Sequence, residues 1–458
     1  MAFNSLRFVV FFIAVLMIIA IIDRFASNSK IRNVVLLSAS LLFYALFNVL
    51  YLLLLIFVIA YTYFFSKRVK EKPYILTISV VLSISILFIF KHFNFFVDSF
   101  TRLFNIHNLF VNNLLLPIGI SFYLFKSISY LIDIKRGKTE VESDLIVVAL
   151  YLSFFPEVVA GPISRFNDLS IQFKKNTKIN KNNLSIGLQI FLIGLFKKIV
   201  LADNIAVFVN EVYRAPKIYS SITIILCIVA YSFQIYLDFS GYSDMAIGCS
   251  KMLGYDIKRN FNMPYLSHNV TEFWKRWHIS LSTWLQDYLY IPLGGNRKGE
   301  MKQYINLIIT MVIGGLWHGS KWTFVLWGLI NGIALVVHKL FIKNRKKNNS
   351  GILSILITFV YTSLIWVLFR ADNLQNAVDL YLSIFNNRGI NYIHINSIVS
   401  IIVCIVAMVY SYVKNKSESK YIIQDLNTIK GLTFVILLIG LIIGLAYTGA
   451  NPFIYASF

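Results

Sequence analysis

An all-α polytopic membrane protein is the fold class that this sequence predicts, and three observations predict it. Of 458 residues, 57% are hydrophobic and only 14% charged, a balance outside that of soluble globular chains. Long apolar blocks recur along the whole length with polar breaks between them. The 43 Lys and Arg outweigh the 21 Asp and Glu to give a formal charge of +22, and basic residues gather in the breaks, as the cytoplasmic loops of membrane proteins require.

Taken in order, apolar blocks occupy residues 8–22, 33–48, 50–66, 74–90, 111–133, 146–160, 184–202 and 220–238, then 304–342, 351–369, 396–413 and 431–449. Several reach the ~20 residues that a helix needs to cross ~30 Å of hydrocarbon, and shorter ones suit tilted, re-entrant or enclosed helices. The pattern predicts about 11 transmembrane helices with one or two partial insertions. The first block follows Arg7 and ends before Asp23-Arg24-Phe25-Ala26-Ser27-Asn28, which lacks a small-x-small cleavage site, so it reads as a retained helix rather than a leader.

Arg24, Lys30 and Arg32 follow block one, Lys67, Arg68, Lys70 and Lys72 block three, and Lys135, Arg136 and Lys138 block five. With the amino terminus outside, all three clusters fall on the cytoplasmic side. Lys343, Arg345, Lys346 and Lys347 join them, as do Lys414, Lys416 and Lys420, and the uncharged tail 450–458 then ends outside. This charge points to the anionic surface of the lipid bilayer rather than to nucleic acid. The longest polar stretch, 164–183, is one loop in size, so residues 1–458 read as a single membrane-embedded domain. Its basic residues Arg165, Lys174, Lys175, Lys178 and Lys181 suit a solvated cytoplasmic loop, with a site for a phosphorylated or acidic donor as the other reading. Cys227, Cys249 and Cys404 are scattered and argue for buried inert thiols, with neither a disulfide framework nor a metal site.

A dense run of polar and aromatic residues interrupts the apolar pattern at 272–296. Over 272–288 the spacing predicts a helix, because Trp274, Trp277, Leu281, Trp284 and Tyr288 recur every three or four residues as one aromatic stripe. Lys275, His278, Ser282 and Gln286 fall on an adjoining face. Such a helix is too polar to lie against lipid, so it is interfacial or lines an enclosed cavity, and Pro292, Gly294 and Gly295 end it as a re-entrant element would end. The following apolar region, 304–341, is too long for one span and is broken at Gly314-Gly315 and Gly319. Fourteen residues from Tyr304 to Trp317 cover ~21 Å as helix, which places His318 inside the membrane.

An ionisable ring at that depth costs free energy and usually serves a cavity, a partner or a reaction. Imidazole suits general-base work, since its reference pKa lies near 6.5 and apolar surroundings keep it neutral. The plainer alternative for His318 is a ring satisfied by a backbone carbonyl. His278 is read either as a second proton-handling group or as a polar anchor of its helix, and His92, His107, His268, His338 and His394 fall near predicted ends or loops. In Phe155-Pro156-Glu157, Glu157 reads first as a structural polar contact at a helix end, with a functional carboxylate as the other reading. Asp238 and Asp244 flank Ser240, Gly241 and Ser243; as paired acids they could do acid/base chemistry, but they read first as ligands of backbone at a helix break or as partners of a base such as Arg276. The chain has no Gly-x-x-x-x-Gly-Lys phosphate loop, dinucleotide fingerprint, Gly-x-Ser-x-Gly elbow or His-Glu-x-x-His site. Nucleotide-driven transport, redox chemistry and serine or metal hydrolysis are therefore disfavoured.

Ala160-Gly161-Pro162-Ile163, Asp238-Phe239-Ser240-Gly241-Tyr242-Ser243-Asp244, the run 274–284, Tyr290-Ile291-Pro292-Leu293-Gly294-Gly295-Asn296-Arg297 and the run 314–319 appear in this order over about half the chain. Together they resemble the membrane-bound O-acyltransferase family, and within it the bacterial branch typified by the alginate O-acetylation protein. The resemblance implies a multi-pass protein of the bacterial plasma membrane, with helices around a central tunnel and a histidine at its centre. The position matching that histidine is His318, and His278 matches a second family histidine. It further implies transfer of an acyl group, first of all acetyl, from a cytoplasmic thioester donor such as acetyl coenzyme A or an acyl carrier toward hydroxyls of an extracytoplasmic polysaccharide. In this reading His318 takes the proton, no cofactor is bound permanently, no cofactor-binding residues are assigned, and a separate extracytoplasmic acetyltransferase partner completes the transfer. D-alanyl transfer toward teichoic acid is the second reading. From other classes come a polysaccharide or lipid transporter, for which no matched halves are visible, and a scaffold of an export complex.

Overall fold

The computed structural model describes residues 2–25, 28–106, 114–343, 351–386, 388–413, 423–449 and 453–454. His107, the side chain of Lys343, Arg345, Lys346, Lys347, Lys414, Lys416, Lys420 and the tail apart from Phe453 and Ile454 lie outside the described residues. Among those described, the fold is all-helical without a β-strand, and one isolated bridge joins Tyr219 and Ile390.

Among the described residues seven helices are long and apolar enough to cross a membrane: Leu6–Phe25, Val49–Ser66, Pro73–Phe104, Lys181–Arg214, Ser221–Met252, Trp322–Phe341 and Ile352–Arg370. Ile395–Tyr410 and Ile429–Leu445 are shorter apolar helices. Fewer helices meet this length and composition than there are apolar blocks in the sequence, for identifiable reasons. Block 33–48 yields the 17-residue helix Ser29–Ala45. Block 146–160 breaks at Phe154, ahead of Pro156, into Leu145–Ser153 and Phe155–Val158, because a proline ring is tolerated only in a helix's first turn. Leu6, Val10, Met17 and Ile21 on Leu6–Phe25, and Leu50, Leu53, Phe57 and Phe64 on Val49–Ser66, are exposed. Apolar surface on this scale calls for lipid contact.

Packing divides the chain into two compact units, Met1–Phe191 with Ser243–Lys258, and Leu192–Tyr242 with Arg259–Phe458. The first has an aromatic core in which Phe8 stacks on Phe12 at 5.8 Å and Phe155 meets Phe11 edge-on at 5.4 Å. Arg32, expected among loop charges, is instead buried. It pairs with Asp23 at 2.6 Å and donates to the Tyr255 hydroxyl and to the carbonyls of Thr177 and Leu253. The guanidinium's fork of donors ties four chain segments together. Glu157 is paired with Lys126 at 2.6 Å, both fully enclosed, and also accepts from the Ser164 hydroxyl. Within the basic 164–183 segment a short helix forms, Phe166–Lys174.

The expected break around Asp238 and Asp244 does not occur: Ser221–Met252 is one continuous helix of 32 residues. Its small residues serve close helix packing, as small residues do between membrane helices. In the second unit a Cβ on Gly241 would lie 2.7 Å from the Gly194 carbonyl oxygen. Nor does Asp238 pair with Arg276. Lys198 holds Asp238 at 2.5 Å and Asp203 at 2.8 Å, while Arg276 pairs with Glu272 at 2.6 Å, four residues earlier on its own helix.

Of the two breaks expected in the region 304–341, the one at Gly319 is present and the one at Gly314-Gly315 is not. Gly314 and Gly315 remain helical in Glu300–His318, and the chain turns at Gly319 into Trp322–Lys343. A Cβ on Gly315 would strike the Phe324 carbonyl, and one on Gly328 the Met311 carbonyl. The two helices are therefore in backbone contact through a reciprocal pair of glycines, and His318 closes the first of them.

Candidate active site

The run 272–288 forms two helices where one was expected. Val270–Arg276 is capped by the Asn269 side chain accepting from the Glu272 N–H at 2.9 Å. Ile279–Leu285 follows and continues into a wider turn, Gln286–Tyr290. Between them His278 takes left-handed backbone angles, φ 42° and ψ 54°, a conformation that costs a non-glycine residue roughly 1–3 kcal/mol. The 260–262 segment holds it there. Asn260 accepts from the Ile279 N–H through its backbone carbonyl at 2.9 Å, and its side-chain oxygen accepts from the Ser280 N–H at 3.1 Å and hydroxyl at 2.9 Å. The Asn262 N–H donates to the Arg276 carbonyl at 2.9 Å. Of the aromatic stripe, Trp277, Leu281, Trp284 and Tyr288 are buried and Trp274 is half-buried.

His318 ends its helix at 3% exposure. Trp317, Trp327 and Phe369 meet its ring edge-on at 5.0, 5.2 and 5.1 Å between centroids. His278 is fully buried, with Phe239 edge-on at 4.7 Å, and lies outside the spanning helices. Burial pushes its pKa down from the ordinary imidazole range to about 3, so the ring is neutral. The structure brings the two imidazoles together, with ring centroids 6.4 Å apart.

His318 also lines a cavity of about 350 Å³. Leu281, Leu285, Leu307, Met311, Trp327 and Leu335 supply apolar walls, while Lys275, Ser282, Gln286 and Tyr290 add polar groups. Lys275, Ser282 and Gln286 had been placed beside His278 on one helical face, and the break leaves all three in the cavity wall. Such a lining, mainly apolar with a few polar groups, suits a small organic ligand. The other histidines are held elsewhere: His268 to Ser354 at 3.0 Å, His338 to Thr271 at 2.8 Å and His394 to Ser397 at 2.9 Å. His92 ends the wider turn Phe88–His92. Cys227, Cys249 and Cys404 are free and buried. Asn260 escaped the sequence reading, because nothing around it marks an approach to a residue 18 positions later.

Residues 138–374 match MBOAT, the membrane-bound O-acyltransferase family. The chain is 40% identical to the probable alginate O-acetylase AlgI of Azotobacter vinelandii, over 79% of this chain and 74% of that protein. It is 38% identical to the peptidoglycan O-acetyltransferase of Helicobacter pylori, over 82% of this chain and 78% of that protein. Identity to the teichoic acid D-alanyltransferase of Bacillus subtilis is 28%, over 54% of this chain and 67% of that protein. All-helical fold, apolar spans and these matches together define a multi-pass acyltransferase of the bacterial plasma membrane. The chain belongs to the membrane-bound O-acyltransferase family.

Proposed function

We propose that the protein moves acetyl groups from a cytoplasmic thioester, acetyl coenzyme A or an acyl carrier, toward hydroxyls of an extracytoplasmic polysaccharide. A separate extracytoplasmic acetyltransferase partner completes the transfer. The observation that carries this reading is the position of His318, in the wall of an apolar cavity and beside a second buried imidazole. The names of the relatives matched over most of their length, an alginate O-acetylase and a peptidoglycan O-acetyltransferase, support acetyl as the group and a polysaccharide as the acceptor.

The thioester lies in the cavity with its carbonyl carbon near His318, and Lys275 in the lining offers a cation to the anionic part of the donor. As the acceptor hydroxyl attacks, its proton passes to the imidazole pair, the carbon–sulfur bond breaks and the departing sulfur is protonated. No metal is required for this exchange. Holding both reactants in one narrow chamber replaces a bimolecular encounter, which is worth several powers of ten in rate.

Membranes holding the wild type or His318→Ala, supplied with labelled acetyl coenzyme A, test the reading when label is followed into polysaccharide and protein. Transfer should fall by about 100-fold or more in the variant. Equal transfer in both removes His318 from the chemistry. Transfer of D-alanine from its carrier thioester, with acetyl refused, replaces acetyl by the second reading.

A further inference from the structure

Leu374–Ser383 is a ten-residue helix outside the spans, and it carries three distinct stripes. Successive side chains stand ~100° apart around a helix. Ala377, Leu380 and Ser383 make one stripe and are buried against the protein. Gln375 and Asp379 make a polar one, in which the Gln375 amide donates to the Asp379 carboxylate at 2.9 Å and Lys217 pairs with the same carboxylate at 2.9 Å. Leu374, Val378 and Leu382, at four-residue spacing, make the third, which is apolar and exposed, and Phe385 just past the helix is 81% exposed. A helix against water needs only the first two stripes, so the third calls for an occupant.

Both ends of the helix fix its level. It begins a short turn after Arg370, where the spanning helix Ile352–Arg370 stops. Just beyond its other end the Asn386 carbonyl accepts at 2.9 Å from the N–H of Ser221, the first residue of the spanning helix Ser221–Met252. The helix therefore bridges two spanning helices at one boundary of the membrane. The basic run 343–347 precedes Ile352–Arg370, which makes that boundary the extracytoplasmic one. The Tyr381 hydroxyl then reaches back to donate to the Leu364 carbonyl at 2.8 Å. Leu364 lies ~9 Å from the Arg370 end, at ~1.5 Å per residue, and an interfacial helix sinks its apolar face by about that much, ~5–10 Å. Leu364 is itself exposed on its spanning helix. Tyr381 stands three residues from Val378 and seven from Leu374, on the edge of the exposed apolar stripe. That stripe thus continues the lipid-facing flank of Ile352–Arg370, while Gln375 and Asp379 keep the opposite edge in water. We propose that Leu374–Ser383 is an interfacial helix that binds the lipid surface of the outer leaflet, with Leu374, Val378, Leu382 and Phe385 seated among the acyl chains. A protein partner docking from outside would require the apolar stripe to face water, on the side that the Gln375, Asp379 and Lys217 group occupies.

The test is the collision accessibility of a nitroxide attached to the full-length protein at Leu382→Cys, Phe385→Cys or Gln375→Cys, one site at a time. The protein sits in nanodiscs of phosphatidylethanolamine and phosphatidylglycerol. All three positions are exposed, so the substitutions leave the packing intact. Unsubstituted protein treated in the same way gives the background, since Cys227, Cys249 and Cys404 are buried. At Leu382 and Phe385, lipid-soluble oxygen should collide with the label several-fold more often than a water-soluble nickel chelate does, and at Gln375 the order should reverse. Nickel ahead of oxygen at Leu382 and Phe385 overturns the proposal. The same result in nanodiscs, with protection from nickel restored in native membranes, also overturns it and gives the stripe to a protein partner instead. The readout involves no donor or acceptor, so its outcome is separate from that of the acyl-transfer reading.

Discussion

At the scale of single residues, the left-handed backbone of His278 allows fold and chemistry to be separated. Asn tolerates that region of backbone space, whereas β-branched residues are outliers there. His278→Asn should therefore unfold at a temperature close to the wild type yet lose transfer, and His278→Val should lose both, as a thermal melt and the label assay on one preparation will show. In the first unit, Lys126→Met strands the Glu157 carboxylate in the interior. The expected cost is about 3–5 kcal/mol, and the double variant Lys126→Met with Glu157→Leu should recover most of it. Denaturation midpoints of the three variants decide the matter. His318 was legible in the sequence because a polar ring within an apolar run is conspicuous by composition alone. Asn260 was not, since its role arises only when two distant segments meet.

At the scale of elements, the Glu300–His318 and Trp322–Lys343 helices approach until Gly315 touches the Phe324 carbonyl and Gly328 the Met311 carbonyl. A side chain at either position must push a backbone aside, and overpacking of this kind costs roughly 1–3 kcal/mol or more. Gly315→Leu should thus reduce the yield of monodisperse protein in size-exclusion chromatography, while Gly351→Ala, in open space, should leave it unchanged. Gly314 and Gly315 read as helix breakers in the sequence, because close approach and chain reversal draw on the same residue. Gly241 misled in the same way within Ser221–Met252. The opposite error fell at Trp277-His278. An aromatic stripe with unbroken three- and four-residue spacing gave no sign of the break, which hydrogen bonds from Asn260 and Asn262 impose from outside the run.

For the whole molecule, the all-helical membrane class was plain from composition and block pattern, because lipid permits few alternatives to the helix. The number of spans was less legible, since enclosed apolar helices have the composition of spanning ones. Ile120–Lys135 is almost wholly buried although its sequence resembles a span. Orientation remains a clear expectation of the charge pattern. With the amino terminus outside, cysteine at Lys70 should react with an impermeant maleimide only in opened cells, and cysteine at Asn48 in intact ones; the reverse pattern inverts the topology.

The chamber beside His318 has one more consequence, and it concerns how the enzyme would tell one substrate from another. At about 350 Å³ it is large enough for a ligand of drug size, so a two-carbon group is not chosen by exclusion of longer ones. Preference for short chains must then come from the supply of donor, or from what the acceptor side will take. Gly314, one turn before His318, lines the chamber and packs beside Leu285, so that a Cβ there would come within 3.1 Å of that leucine. The chamber is in effect a ruler with its shortest mark left off, and a side chain at this position would write it in.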